Sequence, residues 1–253
     1  MKILLTNDDG YGAEGIKTLA EVLKTHHHEV WILAPSGNRS GASSCIIMNE
    51  QLAIKNKAQY EYTLDGTPTD CIICALKTDL FPSKPDVVLS GINKYGNLGT
   101  DILYSGTCAA AKQAVIYGIP AIALSVEPKV SDEGEFFNYK ALAEFVAKNL
   151  NSLMAYCTDK NFLNINAPSN FSYAGVKFAS LSKRLYNDKV NIIRKNDENL
   201  YSTCTGGMEV PFAGDDYNDC LLVRNGYIAI SSVFAEPVAD KSLCAKSTSQ
   251  FVL

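Results

Sequence analysis

Asp8 and Asp9 are adjacent carboxylates, and the next lysine along the chain is Lys17. They follow Lys2-Ile3-Leu4-Leu5-Thr6, which reads as a short buried strand, and Gly10 then supplies a turn into a helical segment. If that strand is central in a parallel sheet, the pair faces the crevice where open α/β sheets bind ligands. A divalent cation held by oxygen ligands would relieve the repulsion, and carboxylates at this density suit magnesium, manganese or calcium better than zinc. The same two residues could instead form an Asx-turn and cap the following helix, a reading the local sequence leaves open.

Gly10-Tyr11-Gly12-Ala13-Glu14-Gly15 matches the G-x-G-x-x-G dinucleotide pattern by letter only. Two carboxylates precede its first glycine and would repel a pyrophosphate. The second strand closes as Leu33-Ala34-Pro35-Ser36, without the acid that would hold a ribose.

Three further stretches carry polar groups suited to the same edge. Ser36-Gly37-Asn38-Arg39-Ser40-Gly41-Ala42-Ser43-Ser44 offers hydroxyls and a guanidinium, which suits an anion or a metal shell completed by neutral oxygens, or simply a surface loop. Gly91-Ile92-Asn93-Lys94-Tyr95-Gly96-Asn97-Leu98-Gly99-Thr100-Asp101 is a long loop after a buried strand, a place where function concentrates. Ser105-Gly106-Thr107 opens the small-residue run Cys108-Ala109-Ala110-Ala111; it reads as a phosphate seat on a helix amino end or as an ordinary N-cap.

The elements that must position these loops alternate. Strands are expected at 2–6, 29–34, 85–90, 121–125 and 162–167, and helices follow Gly15, Pro68 and Thr107 and span about Phe137 to Leu150. Thr67 and Asp70 have capping-box spacing around Pro68. Residues 44–65 read as a hairpin with strands at Ile46-Ile47-Met48 and Tyr60–Leu64. The pattern predicts a three-layer α/β sandwich with a mostly parallel, Rossmann-like sheet. After Pro168 it loosens into short strands, including 176–179 and 226–230, and residues 186–219 are polar and irregular. The expectation is one domain over 1–253, with 186–253 containing an excursion and an extended arm.

Composition bounds the rest. With 47% hydrophobic and 20% charged residues the 253-residue chain has ordinary globular values, and a net charge of -4 gives no basic footprint for nucleic acid. No run approaches the ~20 apolar residues of a membrane helix, and the N-terminus does not read as a signal peptide, so a soluble cytoplasmic protein is expected. Eight scattered cysteines read as reduced thiols; Cys71-x-x-Cys74 falls in an apolar helical run and reads as core packing. His26-His27-His28 sits at a helix-to-strand junction, away from the acidic edge, and reads as a solvated loop.

Taken together, Lys2 to Gly10, Ala34-Pro35 through Arg39-Ser40-Gly41-Ala42-Ser43, Gly66-Thr67-Pro68-Thr69-Asp70-Cys71, Ser90-Gly91-Ile92-Asn93 and Tyr104-Ser105-Gly106-Thr107 resemble the survival protein SurE family of metal-dependent 5'/3'-nucleotidases. The likeness is dense through Ser125 and continues more weakly through Leu163–Pro168 and Gly226–Ile230. It implies a metal shell of Asp8, Asp9, Ser40 and Asn93, with one Mg or Mn per subunit (Ca in a crystal), and it alone picks Ser40 over Ser36, Ser43 or Ser44. It also implies that Asn97, Ser105, Gly106 and Thr107 face the phosphate, and that arms exchanged between subunits build a dimer or tetramer. Two departures stand out: Tyr95 lies where the family usually has glycine, and Gln113 where glutamate is frequent.

The implied reaction is hydrolysis of nucleoside 5'- and 3'-monophosphates to nucleoside and phosphate, with short polyphosphate as a side substrate. A bound cation would activate water, polarise phosphorus and align the two, while Asp8 or Asp9 orients the water. Donors at Ser105 to Thr107 would take the charge on the equatorial oxygens. The rival from another class is a phospho-accepting receiver domain, which needs an aspartate closing the third parallel strand and a lysine closing the fifth. Ser90 and Ser125 stand there. A non-catalytic magnesium- or nucleotide-binding module is the second rival.

Overall fold

Strands that are apolar on both faces must be covered on both, and this chain does so with two helical layers. The computed structural model describes residues 1–194, 200–205, 208–213 and 216–239. The first half runs β1 (Lys2–Thr6), α1 (Glu14–Thr25), β2 (Glu29–Pro35), β3 (Ile54–Ala58), β4 (Glu61–Leu64), α2 (Pro68–Lys77), β5 (Val87–Lys94), a 3-10 turn (Gly99–Leu103) and α3 (Gly106–Ile116). The second half runs β6 (Ala121–Glu127), β7 (Lys129–Ser131), β8 (Gly134–Phe136), α4 (Tyr139–Met154), β9 (Asn161–Pro168), β10 (Gly175–Phe178), β11 (Lys183–Tyr186), β12 (Lys189–Arg194), β13 (Leu200–Thr205), β14 (Met208–Ala213), α5 (Asp219–Arg224) and β15 (Tyr227–Phe234).

The central sheet has nine strands in the order β10-β15-β9-β6-β5-β1-β2-β4-β3. β1, β2, β4, β5, β6 and β9 run parallel. β3 and β15 lie antiparallel to their neighbours β4 and β9. Along β1 the alternation is direct: Ile3 and Leu5 join the core under α1 and α4, and Leu4 joins the core under α2 and α3. The chain winds outward from β1 to β2 and β4, then returns to place β5 on the other flank of β1. This reversal opens a crevice at the carboxyl ends of β1 and β5, where Asp8, Asp9 and Asn93 lie.

Helix α1 packs so closely on β5 that a Cβ at Gly15 would sit 1.9 Å from the Ile92 carbonyl oxygen. Gly15→Ala is therefore expected to destabilise the fold by ~2 kcal/mol through overpacking, read from urea unfolding. An unchanged midpoint would show that the helix can withdraw at no cost.

Three expectations are corrected. Ile46–Met48 is a loop: the Ile47 amide donates to Asp70 Oδ1 and Thr67 Oγ1 donates to the Cys45 carbonyl, so the α2 capping box takes the groups a strand would have paired. The strand opposite β4 is instead Ile54–Ala58. Of Gly226–Ile230, read within the arm, Tyr227–Ile230 belongs to β15, which pairs with β9 and β10 of its own sheet. Residues 186–219, read as irregular, contain ribbons: β12 pairs with β13, and β14 pairs with β11. The parts of the expected arm at 195–199, 206–207, 214–215 and 240–253 lie outside the described residues. No helix among the described residues is long and apolar enough to cross a membrane.

Candidate active site

Asn7 closes the acidic turn. Its side-chain amide donates to the Gly10 carbonyl at 2.9 Å, and the Gly10 amide donates back to Asn7 Oδ1 at 3.2 Å. Helix α1 has Ala13 at its N-cap and no side-chain cap, so neither Asp8 nor Asp9 serves that helix. The local turn is satisfied without them, which leaves both carboxylates to tertiary partners.

Asp8 is buried against the amino end of α3. Its Oδ1 accepts from Thr107 Oγ1 at 2.7 Å and its Oδ2 from the Thr107 amide at 3.2 Å. A Cβ on Gly106 would sit 2.9 Å from that of Asp8, so the approach requires glycine. Desolvation pushes the Asp8 carboxyl above its ordinary range, and the Thr107 hydrogen bonds offset only part of that. Asp9 is also raised, chiefly by burial, while its Oδ2 accepts from the Lys94 amide at 3.0 Å. A positive charge placed at the pair would restore both carboxylates.

A cavity of about 270 Å³ opens beside Asp8 and is also lined by Ser40, Asn93, Asn97 and Ser105. Five of the eight expected residues thus share one wall. Asp9 lines a neighbouring hollow with Lys94 and Phe137. Gly106 and Thr107 lie beneath Asp8, and Thr107 is fully buried. The helix amino end read as a phosphate seat is met here by a carboxylate of the chain itself, which the free amides and dipole favour for the same reason. Ser105 is also a true N-cap, accepting from the Cys108 amide at 2.9 Å, and its hydroxyl proton remains to be donated.

The serine loop is sorted by its partners. Ser36 Oγ donates to Asp65 and Ser43 Oγ to the Leu103 carbonyl, whereas Ser40 lines the cavity, with its Oγ 2.7 Å from Asn38 Oδ1. Arg39, offered by the sequence as an anion partner, is turned to Asp65 and the Gly66 carbonyl. Asn93, read as part of a loop, lies in β5, which runs on to Lys94 because Asn93 and Lys94 still pair with Ser125 and Val126. Its side-chain amide donates to the Tyr95 carbonyl at 2.9 Å, so Oδ1 is the atom available to a ligand. Two carboxylates with neutral serine and asparagine oxygens form a hard, all-oxygen donor set that fits a magnesium- or manganese-type ion.

The segment from Tyr95 to Asp101, which follows β5, is held by partners far away in sequence. Asn97 donates through its backbone amide to Asn166 Oδ1 at 2.8 Å and through its side chain to Ser125 Oγ at 2.8 Å. Its carbonyl accepts from Asn164 and Asn166. Asp101 bonds to the Arg184 guanidinium and accepts from the Tyr186 hydroxyl at 2.6 Å, at the edge of the same cavity. Sequence reasoning assigned no role to Asp101, Tyr186, Asn164 or Asn166; the alternating asparagines inside the apolar run of β9 were the one visible signal. A larger cavity of about 540 Å³, bordered by Leu98, Glu127 and Arg184, adjoins this loop but lacks the acidic pair.

The other candidate ligands fall elsewhere. Cys71 and Cys74 lie in α2, where burial pushes both thiols up. His26 pairs with Glu144 at 3.2 Å at the α1–β2 junction. Among the described residues, no three His, Cys, Asp or Glu side chains gather as a metal cluster, so any ion here depends on neutral oxygens as well.

Fold and site define a class: open parallel α/β proteins with an acidic, oxygen-rich crevice at the strand-order reversal. The model of the family described as survival protein SurE matches residues 3–188. The protein named 5'-nucleotidase SurE from Treponema pallidum is 45% identical over 184 residues, covering 72% of this chain and 98% of that protein. Its namesake from Campylobacter jejuni subsp. jejuni serotype O:6 is 36% identical over 96% of this chain and 95% of its own. The crystal structure of the SurE protein from Aquifex aeolicus superposes with a TM-score of 0.79 at 29% identity, covering 96% of each chain. The chain belongs to the SurE family.

Proposed function

We propose that this chain is a phosphomonoesterase that hydrolyses nucleoside 5'- and 3'-monophosphates, with one Mg or Mn ion held by Asp8, Asp9, Ser40 and Asn93. The observation that carries the reading is the shared cavity wall of Asp8, Ser40, Asn93 and Asn97, in a chain whose relatives are named 5'-nucleotidases. When bound, the ion supplies Lewis acidity and a water acidified for attack. The chain supplies the remaining functions. Asp8 and Asp9, through the lone pairs that Thr107 and the Lys94 amide do not take, orient the attacking water. Ser105 Oγ, and the Asn97 amide hydrogen that Ser125 does not use, donate to phosphate oxygens. Thr107 holds Asp8, so its part in phosphate binding passes through that carboxylate. Receiver chemistry is disfavoured because Ser125 sits in β6 holding Asn97, where a receiver's lysine would stand.

Phosphate release from 5'-AMP, 3'-AMP and short polyphosphate, with Mg, Mn or chelator, tests the reading. Nucleotide turnover that chelation abolishes and Mn or Mg restores is the expected result. Full activity in metal-free buffer, or none on any nucleotide, defeats it.

The same reading includes a homodimer or homotetramer built through the β12–β13 ribbon. Val190, Ile192, Ile193 and Leu200 are all exposed on it, and a lone two-stranded ribbon is marginal in water without a covering partner. Replacing residues 189–205 with a short Gly-Ser turn should lower the mass in light scattering while the central sheet stays folded. A wild-type monomer at high concentration would count against assembly.

A further inference from the structure

Tyr95 is the anomaly of the site loop. Its backbone has φ of 73°, a region that bulky side chains rarely enter and that persists only where the surroundings impose it. Those surroundings are visible. The Tyr95 hydroxyl donates to Glu135 Oε2 at 2.6 Å, which ties the loop to strand β8. The ring meets Phe137 edge to face with centroids 5.3 Å apart, and Lys94 Nζ lies 5.3 Å from the Tyr95 centroid. Even so tethered, the residue keeps 39% of its surface exposed and lines the cavity that holds Asp8 and Asn93. Its carbonyl also orients the Asn93 amide, so ring and cation ligand are set by one short segment.

An aromatic ring held at a backbone cost, partly uncovered and on a polar cavity, is suited to stack a flat ligand group. We propose that Tyr95 is a specificity-determining residue whose ring stacks on the nucleobase of the substrate, favouring purine over pyrimidine monophosphates through the larger overlap. This inference rests on the nucleotidase reading and adds the group that selects the base.

The test compares kcat/KM for AMP, CMP and ribose 5-phosphate in wild type, Y95G, Y95N and Y95F. Glycine and asparagine both accept the positive φ, so at least one of these variants keeps the loop, checked by a melting temperature near that of wild type. Their AMP-to-ribose-5-phosphate ratio should fall about tenfold, the size of one base–aromatic stack, and the AMP-to-CMP ratio should approach unity. Y95F keeps the ring without the Glu135 bond and should hold both ratios within about twofold of wild type. Unchanged ratios in Y95G and Y95N overturn the inference, as does an equal loss in Y95F, which would make the Glu135 tether the active part. If wild type releases phosphate from ribose 5-phosphate as readily as from AMP, base stacking is excluded while the phosphatase survives. If it hydrolyses neither ester, the nucleotidase reading falls first.

Discussion

Asp8→Asn is expected to cut phosphate release at least a hundredfold while leaving the fold intact. The size follows from the ~3 kcal/mol or more that a correctly held cation contributes to phosphoryl transfer, which a weakened shell forfeits. The intact fold follows from the hydrogen bonds. Asparagine can place its oxygen where Oδ2 accepts from the Thr107 amide. Its nitrogen then meets the Thr107 hydroxyl, which can turn from donor to acceptor. Asp9→Asn should lose activity comparably, since Asp9 needs only one acceptor for the Lys94 amide.

The same substitutions change the dependence of stability on pH in metal-free protein. Burial raises the folded-state values of Asp8 and Asp9 above the ordinary 3.8, so between that value and the raised ones the native state binds more protons than the unfolded chain. Stability must then fall as pH rises through this window. Asp101 and Glu127 are raised for the same first reason, desolvation, and add to the slope. Asp8→Asn should flatten the slope in part, and saturating Mn should abolish the contribution of the pair. Thermal melts at several pH values with chelator would check this. A metal-free protein that grows more stable as pH rises through the window would show that the pair is not strained by burial.

Thr107→Val carries the second large effect, and its direction depends on the contact with Asp8. Valine keeps the volume and removes the donor 2.7 Å from Asp8 Oδ1 in a fully buried place. Losing an orienting partner of a metal ligand typically costs 10- to 100-fold in affinity, so ~30-fold weaker Mn binding is expected by titration calorimetry. Activity at subsaturating metal should fall with it. Ser105→Ala is the contrast: it removes the Cys108 cap, worth ~1 kcal/mol of stability, and should leave Mn affinity near that of wild type. Equal Mn affinity in wild type and Thr107→Val would return Thr107 to a direct role on phosphate.

The sequence by itself determined the local pieces. Ile3-Leu4-Leu5 could only be buried on both faces, and Thr67, Pro68 and Asp70 could only open a helix with its box closed. The vicinal carboxylates at the end of β1 marked the crevice because strand, charge pair and turn are all encoded within ten residues. Even the family pattern rests on short contiguous blocks.

What only the tertiary structure decided are matters of long-range pairing. Ile46–Met48 has strand-like residues, yet its backbone is claimed by the α2 cap, a competition no local propensity reports. Gly226–Ile230 reads as a strand in search of a partner, and whether that partner is a neighbouring subunit or β9 depends on how the chain returns after α5. Thr107 could face solvent phosphate or Asp8; the packing of α3 against β1, permitted by Gly106, chose Asp8. The loop carrying Asn97 and Thr100 is set by Ser125, Asn164, Asn166 and Arg184, which approach it only once β6, β9 and β11 are in place. Groups 28 to 84 positions apart meet because strand order, unlike strand identity, is settled by the global burial of both sheet faces.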